Sequence, residues 1–64
     1  MESLKAYVNA DALRLRNKPS LKAKTLAMMY ACSEVEILEE SGKWCKVSFN
    51  GIEGYCLREF LKIK

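Results

Sequence analysis

No histidine occurs in the 64 residues. That absence removes the commonest general base and the commonest metal ligand together. The serines at 3, 20, 33, 41 and 48 therefore have no imidazole to activate them. No apolar run approaches the ~20 residues of a membrane span, so no membrane partner is expected. The start, Met1-Glu2-Ser3-Leu4-Lys5, lacks a long apolar stretch after a basic one and does not read as a signal peptide. A secreted parent would have lost such a signal if this segment was excised from it. Internal repeats, linkers and low-complexity segments are also missing. The cysteines number three, Cys32, Cys45 and Cys56. An odd count is not a complete disulfide framework, and neither a Cys-x-x-Cys pair nor a histidine accompanies it. Three thiolates without a fourth ligand make a poor zinc site. Buried free thiols are the expected state, which leans toward a reducing compartment, with Cys32 the most exposed of the three. No cofactor or metal is expected.

What is present is the composition of one globular domain. Half of the residues are hydrophobic and 30% are charged. A 7.3 kDa chain folds to roughly 4,200 Å² of surface from about 10,600 Å² unfolded, which leaves no room for a large enclosed active site. The net charge of +3 is arranged in blocks. Residues 1–24 carry six basic and two acidic side chains, residues 25–42 carry Glu34, Glu36, Glu39 and Glu40 and no base, and residues 43–64 are basic again. Nucleic-acid binders concentrate positive charge without such an acidic counterweight, so a solvated mixed surface is the simpler reading.

Strand periodicity dominates the chain. Leu4-Lys5-Ala6-Tyr7-Val8 reads as a short strand and Asn9-Ala10-Asp11 as a turn. In Ala12-Leu13-Arg14-Leu15-Arg16 the leucines share one face and the arginines the other. Pro19 ends that strand, and residues 17–25 form a basic loop with Lys18, Lys22 and Lys24. The run Leu26-Ala27-Met28-Met29-Tyr30-Ala31-Cys32 lacks a polar face; it reads as a strand over 26–30, although its composition also suits a helix. Tyr30 and Phe49 are expected in the core. In Glu34-Val35-Glu36-Ile37-Leu38, Val35 and Ile37 point inward, and Ser41-Gly42 marks a turn.

Asn50-Gly51 between β-rich stretches is a two-residue hairpin turn in which both central residues need positive φ. The turn dictates register: paired positions sum to 101, so Cys45 faces Cys56. Cys45, Val47, Phe49, Ile52 and Cys56 then form the predicted core face, opposite Lys46, Ser48, Glu53 and Tyr55. A Cys45–Cys56 disulfide lies within distance limits, but two adjacent buried thiols are preferred. Residues 57–61 form a helical or 3₁₀ turn and residues 62–64 a last short strand. The expected fold is all-β: a small barrel of about five short antiparallel strands with a terminal 3₁₀ turn.

The order of these features resembles the bacterial SH3 domain, an SH3-like barrel. Leu13-Arg14-Leu15-Arg16-Asn17-Lys18-Pro19-Ser20 is similar to that family's first signature. Val35-Glu36-Ile37-Leu38-Glu39-Glu40-Ser41-Gly42-Lys43-Trp44 is similar to its central strand, turn and tryptophan. Lys46–Cys56 with Phe60-Leu61 is similar to its closing hairpin and terminal aromatic–leucine pair. The resemblance spans residues 6–61. It departs where the family often has glycine, at Ala27 and Cys32, and where it often has a bulky aromatic, at Cys45. The acidic and aromatic loop cluster that eukaryotic SH3 domains use for proline-rich peptides is not evident.

The resemblance implies a binding module and not an enzyme. Adjacent Glu39 and Glu40 point to opposite faces of a strand and do not converge on a bond. In this reading Trp44, Tyr55 and Phe60 line a groove beside Arg16 and Asn17, with Tyr7 a further candidate ligand contact. Bacterial SH3 domains often accompany peptidoglycan hydrolases and target them to the wall. The implied ligand is therefore a peptidoglycan stem peptide or another short peptide, with Arg16 or a lysine pairing with its carboxylates. The implied location is then the cell wall. The alternative is an intracellular protein-interaction or regulatory module, cytoplasmic if Met1 is native, which accepts a partner or a second copy along an exposed edge strand. A third reading is weak nucleic-acid binding, with basic residues at 14, 16, 18, 22 and 24 tracking phosphates and Tyr55 or Trp44 stacking bases.

Overall fold

The computed structural model describes residues 4–63. Seven strands follow in order: β1 (Leu4–Val8), β2 (Ala12–Arg16), β3 (Thr25–Tyr30), β4 (Glu34–Ser41), β5 (Trp44–Phe49), β6 (Ile52–Leu57) and β7 (Leu61–Ile63). A single 3₁₀ turn, Arg58–Phe60, separates β6 from β7. The expected count was about five. The difference lies in the total and not in the segments: the stretches at 4–8 and 62–64, already read as short strands, are β1 and β7, which pair with each other and prolong the sheet beyond β4. The expected last strand over 62–64 begins one residue earlier, and Lys64, like Met1 to Ser3, falls outside the described residues.

All seven strands belong to one antiparallel sheet in the order β3-β2-β6-β5-β4-β1-β7. Among the described residues no second layer covers it, so the sheet must roll to enclose its own apolar face. The smallest dimension of the molecule, 22 Å, is about twice the thickness of a flat sheet and reflects this rolling. The enclosed face holds Ala6, Val8, Leu13, Leu15, Met29, Val35, Ile37, Cys45, Val47, Cys56 and Leu61, with no polar or charged side chain among them. Each strand places alternate residues there, as Leu13 and Leu15, or Val35 and Ile37, already show in their spacing.

The β5–β6 hairpin has the expected register. Cys45 pairs with Cys56, Val47 with Gly54 and Phe49 with Ile52. Asn50 has φ 52° and Gly51 φ 85°, as a two-residue turn of this hand requires. The run at 25–30 is a strand and not a helix.

Two expected core residues are not core. Tyr30 is 62% exposed and Ile52 38%. Tyr30 sits outward on β3, the edge of the sheet, with buried Met29 its inward neighbour. Ile52 lies next to the turn, where the hairpin runs past the end of the core, while Phe49 opposite it is half-buried and packs against the core. Val47 pairs with a glycine, Gly54, whose bare backbone faces β2. A Cβ on Gly54 would stand 2.7 Å from the Arg16 carbonyl oxygen and 2.8 Å from Leu15 Cγ. This close approach brings β2 against β6, which pair through Arg16 and Tyr55.

Candidate functional site

The outer side of that junction carries an open groove of about 230 Å³. Leu13 is its buried base, and half-buried Trp44, Leu57 and Phe60 add apolar surface around it. Trp44 and Leu57 are direct cross-strand partners on β5 and β6, so the sheet places the indole beside the leucine. Phe60 arrives from the 3₁₀ turn, whose Arg58 N–H donates to the Lys43 carbonyl at 2.8 Å and anchors it next to Trp44. Arg14, Arg16 and the 68% exposed Leu21 complete the rim.

Leu21 reaches the rim because its loop is built around Arg16. The guanidinium Nη1 donates to the Leu21 carbonyl at 2.9 Å and to the Ala23 carbonyl at 3.2 Å. The loop base is closed by the Asn17 N–H donating to the Lys24 carbonyl at 3.0 Å. Inside the loop the Ala23 N–H donates to the Ser20 carbonyl and the Lys22 N–H to Ser20 Oγ. Arg16 therefore positions one wall of the groove. Among the described residues, exposed Arg14 makes no side-chain hydrogen bond or ion pair, and its charge is available to a ligand.

Of the six expected ligand contacts, the structure brings Trp44, Phe60 and Arg16 together in this groove. Tyr55 is the half-buried cross-strand neighbour of Arg16 but not a lining residue. Asn17 acts through its backbone at the loop base. Tyr7 lies on β1, paired with Glu34 and Lys62 and separated from β6 by β4 and β5. Sequence reasoning passed over Leu21 and Leu57, and named Arg14 only as a phosphate contact in the nucleic-acid reading. Arg14 had a visible signal, since it shares the outward face of β2 with Arg16. Leu21 had none, because its position depends on the path of a loop.

A second depression of about 410 Å³ lies nearby, lined by Gly42, Lys43, Arg58 and Glu59. It is larger but lacks aromatic walls. Arg58 is already engaged there, with Nε donating to Glu40 Oε1 at 3.0 Å and Nη1 to the Leu61 carbonyl at 3.3 Å.

The two core thiols are poorly placed for nucleophilic chemistry. All three are free. Cys45 and Cys56 are fully enclosed, and burial pushes both thiols up, Cys56 to about 12. For Cys45 the Glu40 carboxylate acts in the same direction and Arg58 in the opposite one. For Cys56 the neighbouring Cys45 adds to the burial. A thiol so held is a poor nucleophile. Cys32 is the exposed one, at φ 68° in the turn between β3 and β4.

Comparison with known proteins agrees with this architecture. The family model described as the bacterial SH3 domain matches residues 11–62. Among solved structures, NlpC2 from Trichomonas vaginalis superposes with a TM-score of 0.88 at 20% identity. The match covers 98% of this chain and 24% of NlpC2, so the chain spans about a quarter of that protein. At that identity the likeness shows the fold alone. No curated protein matches the chain in sequence.

Proposed function

The chain belongs to the bacterial SH3 domain family, and from that premise we propose that it is a non-catalytic targeting module whose groove binds a short peptide, a cell-wall stem peptide in the first instance. The observation that supports this is the convergence of Trp44, Phe60, Leu57 and Leu21 with two arginines in one open groove. Rigid aromatic and aliphatic surface supplies contact area at little entropic cost, and guanidinium groups select carboxylates. Arg14 is the carboxylate partner, since Arg16 is committed to the loop carbonyls through Nη1. A groove this shallow encloses little of a ligand, so single-site affinity is weak and neighbouring modules raise it through effective concentration.

The test is retention on purified peptidoglycan. Trp44→Ala removes the largest aromatic wall and lowers retention about tenfold or more, since a buried aromatic contact carries ~1–3 kcal/mol. Arg14→Ala lowers it less and more steeply at low salt. Wild-type retention no greater than that of an unrelated protein of equal net charge would overturn the wall-peptide reading.

A further inference from the structure

The ladder between β2 and β6 stops after one pair, Arg16 with Tyr55. What lies beyond that pair follows from the alternation of hydrogen-bonded and non-hydrogen-bonded pairs in antiparallel strands. On the β3 side, the Tyr30 N–H donates to Ser33 Oγ at 3.3 Å, and the Tyr30 carbonyl accepts from the Ser33 N–H at 3.0 Å. Both Tyr30 groups turn away from β2, so its pairing with Ala12 is non-hydrogen-bonded. By alternation the Arg14–Met28 pairing is of the same kind. Ala12 and Arg14 accordingly direct their N–H and C=O away from β3, toward β6. On the β6 side, the Phe49–Ile52 pair that closes the two-residue turn is hydrogen-bonded, and alternation leaves Trp44–Leu57 non-hydrogen-bonded. Leu57 thus directs its own N–H and C=O toward β2. Carried on in register, Leu57 would face Arg14. The strands have parted there, and Ala12, Leu13, Arg14 and Leu57 line the groove instead. The groove is an open seam in the sheet, and its β2 wall is a strand edge without a strand partner.

We propose that an extended peptide fills this seam as a short added strand, pairing its main chain antiparallel with residues 12–14. The proposal rests on the peptide-binding reading of the groove and specifies how the ligand is held. Ala12 and Arg14 stand about 6.7 Å apart along the strand, and each offers one donor and one acceptor. A three-residue segment whose outer residues oppose Ala12 and Arg14 makes four main-chain hydrogen bonds. Donor and acceptor alternating at that repeat match a peptide main chain, the mode of recognition by strand addition. Antiparallel is the sense of every strand pair in this sheet.

The same register assigns the ligand's side chains. Directly opposed residues share a face of the sheet. The first ligand residue, opposite Arg14, therefore stands beside the exposed guanidinium and is acidic. The central residue, opposite Leu13, points down onto the buried base of the groove. At about 230 Å³ the groove is smaller than the ~300 Å³ at the low end of small-molecule sites, so that central residue is an alanine or a glycine. The last residue, opposite exposed Ala12, meets no charge and is held through its main chain alone.

Titration of the full chain with an N-acetylated, C-amidated glutamyl-alanyl-alanine tripeptide, followed by nitrogen-15 amide signals, tests this. The Ala12 and Arg14 amide protons should move downfield, with a dissociation constant of about 1 mM. Methylating the nitrogen of the last alanine removes a bonded N–H and should weaken binding by ~tenfold or more. Methylating the central nitrogen, whose N–H points away from β2, should change it by less than about threefold. Arg14→Pro removes the N–H that faces the groove without breaking a β3 bond, and should weaken binding more than Arg14→Ala does. The methylated peptides decide the matter if the proline variant fails to fold. Equal or reversed effects of the two methylations overturn the proposal. So does binding that shifts the Trp44 and Phe60 signals and leaves the Ala12 and Arg14 amides in place. Retention on peptidoglycan with no tripeptide binding at ~10 mM also overturns it while sparing the targeting reading, and loss of both overturns both.

Discussion

The two faces of the β5–β6 hairpin are written in alternate residues of the same strands, yet they obey different rules. Inward, Cys45, Val47, Gly54 and Cys56 are buried without residual space, and the Gly54 position has no room even for a methyl group. Outward, Trp44, Lys46, Tyr55 and Leu57 are only half-buried, and Lys46 and Glu53 form an exposed ion pair at 3.8 Å that contributes little. The inner face determines whether the chain folds. The outer face can change without unfolding it, which is the condition a binding surface needs. Variants of the inner face should therefore cost stability, and variants of the outer face should cost binding.

The most direct attempt to break that division is at Gly54. Its hypothetical Cβ meets a backbone oxygen at 2.7 Å, which cannot rotate aside as a side chain would. Gly54→Ala should lose ~1–3 kcal/mol and Gly54→Val more. A domain of this size has roughly 3–10 kcal/mol in total. Urea titration followed by circular dichroism should show the valine variant largely unfolded. Wild-type stability in that variant would mean that β2 and β6 are not held as tightly as the geometry indicates.

The buried thiols give the next largest effect, through pH. The folded Cys56 thiol titrates at about 12, against an ordinary value of 9.0. Below pH 9 the thiol is protonated in both folded and unfolded chains, and stability is undiminished. Between 9 and 12 the unfolded chain ionises while the folded one does not, so stability falls, by at most ~1.4 kcal/mol per pH unit for one thiol. Urea midpoints at pH 8 and 10.5 should differ more in wild type than in Cys56→Ala, which lacks that group. An identical decline in the two proteins would assign it to groups other than Cys56, the buried Cys45 thiol first among them. In the folded protein at neutral pH, a thiol reagent should modify Cys32 rapidly and reach Cys45 and Cys56 only after denaturation.

The unequal legibility of the two faces has the same origin. The inner face follows local rules: alternation located β2 and β4, and Asn50-Gly51 alone specified the partners of β5 and β6 from Phe49–Ile52 to Trp44–Leu57. Those rules weaken where the core ends. Ile52 has inward phase but lies beyond the enclosed region, and Tyr30 belongs to a run with apolar residues on both sides, which phase cannot orient. The groove is legible only in part. Trp44 and Arg16 announce themselves by type, but Leu21 reaches the rim through a loop conformation that no periodicity encodes.

Arg16 tests whether the outer face separates fully from stability, because its side chain also holds a loop. Arg16→Ala removes the donor from the Leu21 and Ala23 carbonyls. These lie near the surface and can turn to water, so the loss should be about 1 kcal/mol or less. Proteolysis within residues 17–24 should quicken, and retention on peptidoglycan should fall as the Leu21 wall loosens. Unchanged cleavage with reduced retention would instead make Arg16 a direct ligand contact.

The smallest effect comes from a position outside both faces. Cys32 holds φ 68°, a left-handed conformation that costs an L-residue about 1 kcal/mol and glycine nothing. The surrounding turn imposes it: the Cys32 N–H donates to the Val8 carbonyl at 3.0 Å, and the Ser33 N–H returns to the Tyr30 carbonyl at 3.0 Å. Cys32→Gly should relieve the strain while adding unfolded-state entropy, for a net gain below ~1 kcal/mol. Cys32→Ser keeps the strain and removes the thiol, so it should gain nothing. If the serine variant is stabilised equally, the thiol and not the backbone was the source. Neither variant touches the groove, and peptidoglycan retention should stay at the wild-type level. A gain in stability with no change in retention would show that folding and binding draw on separate residues in this chain, even where they share a hairpin.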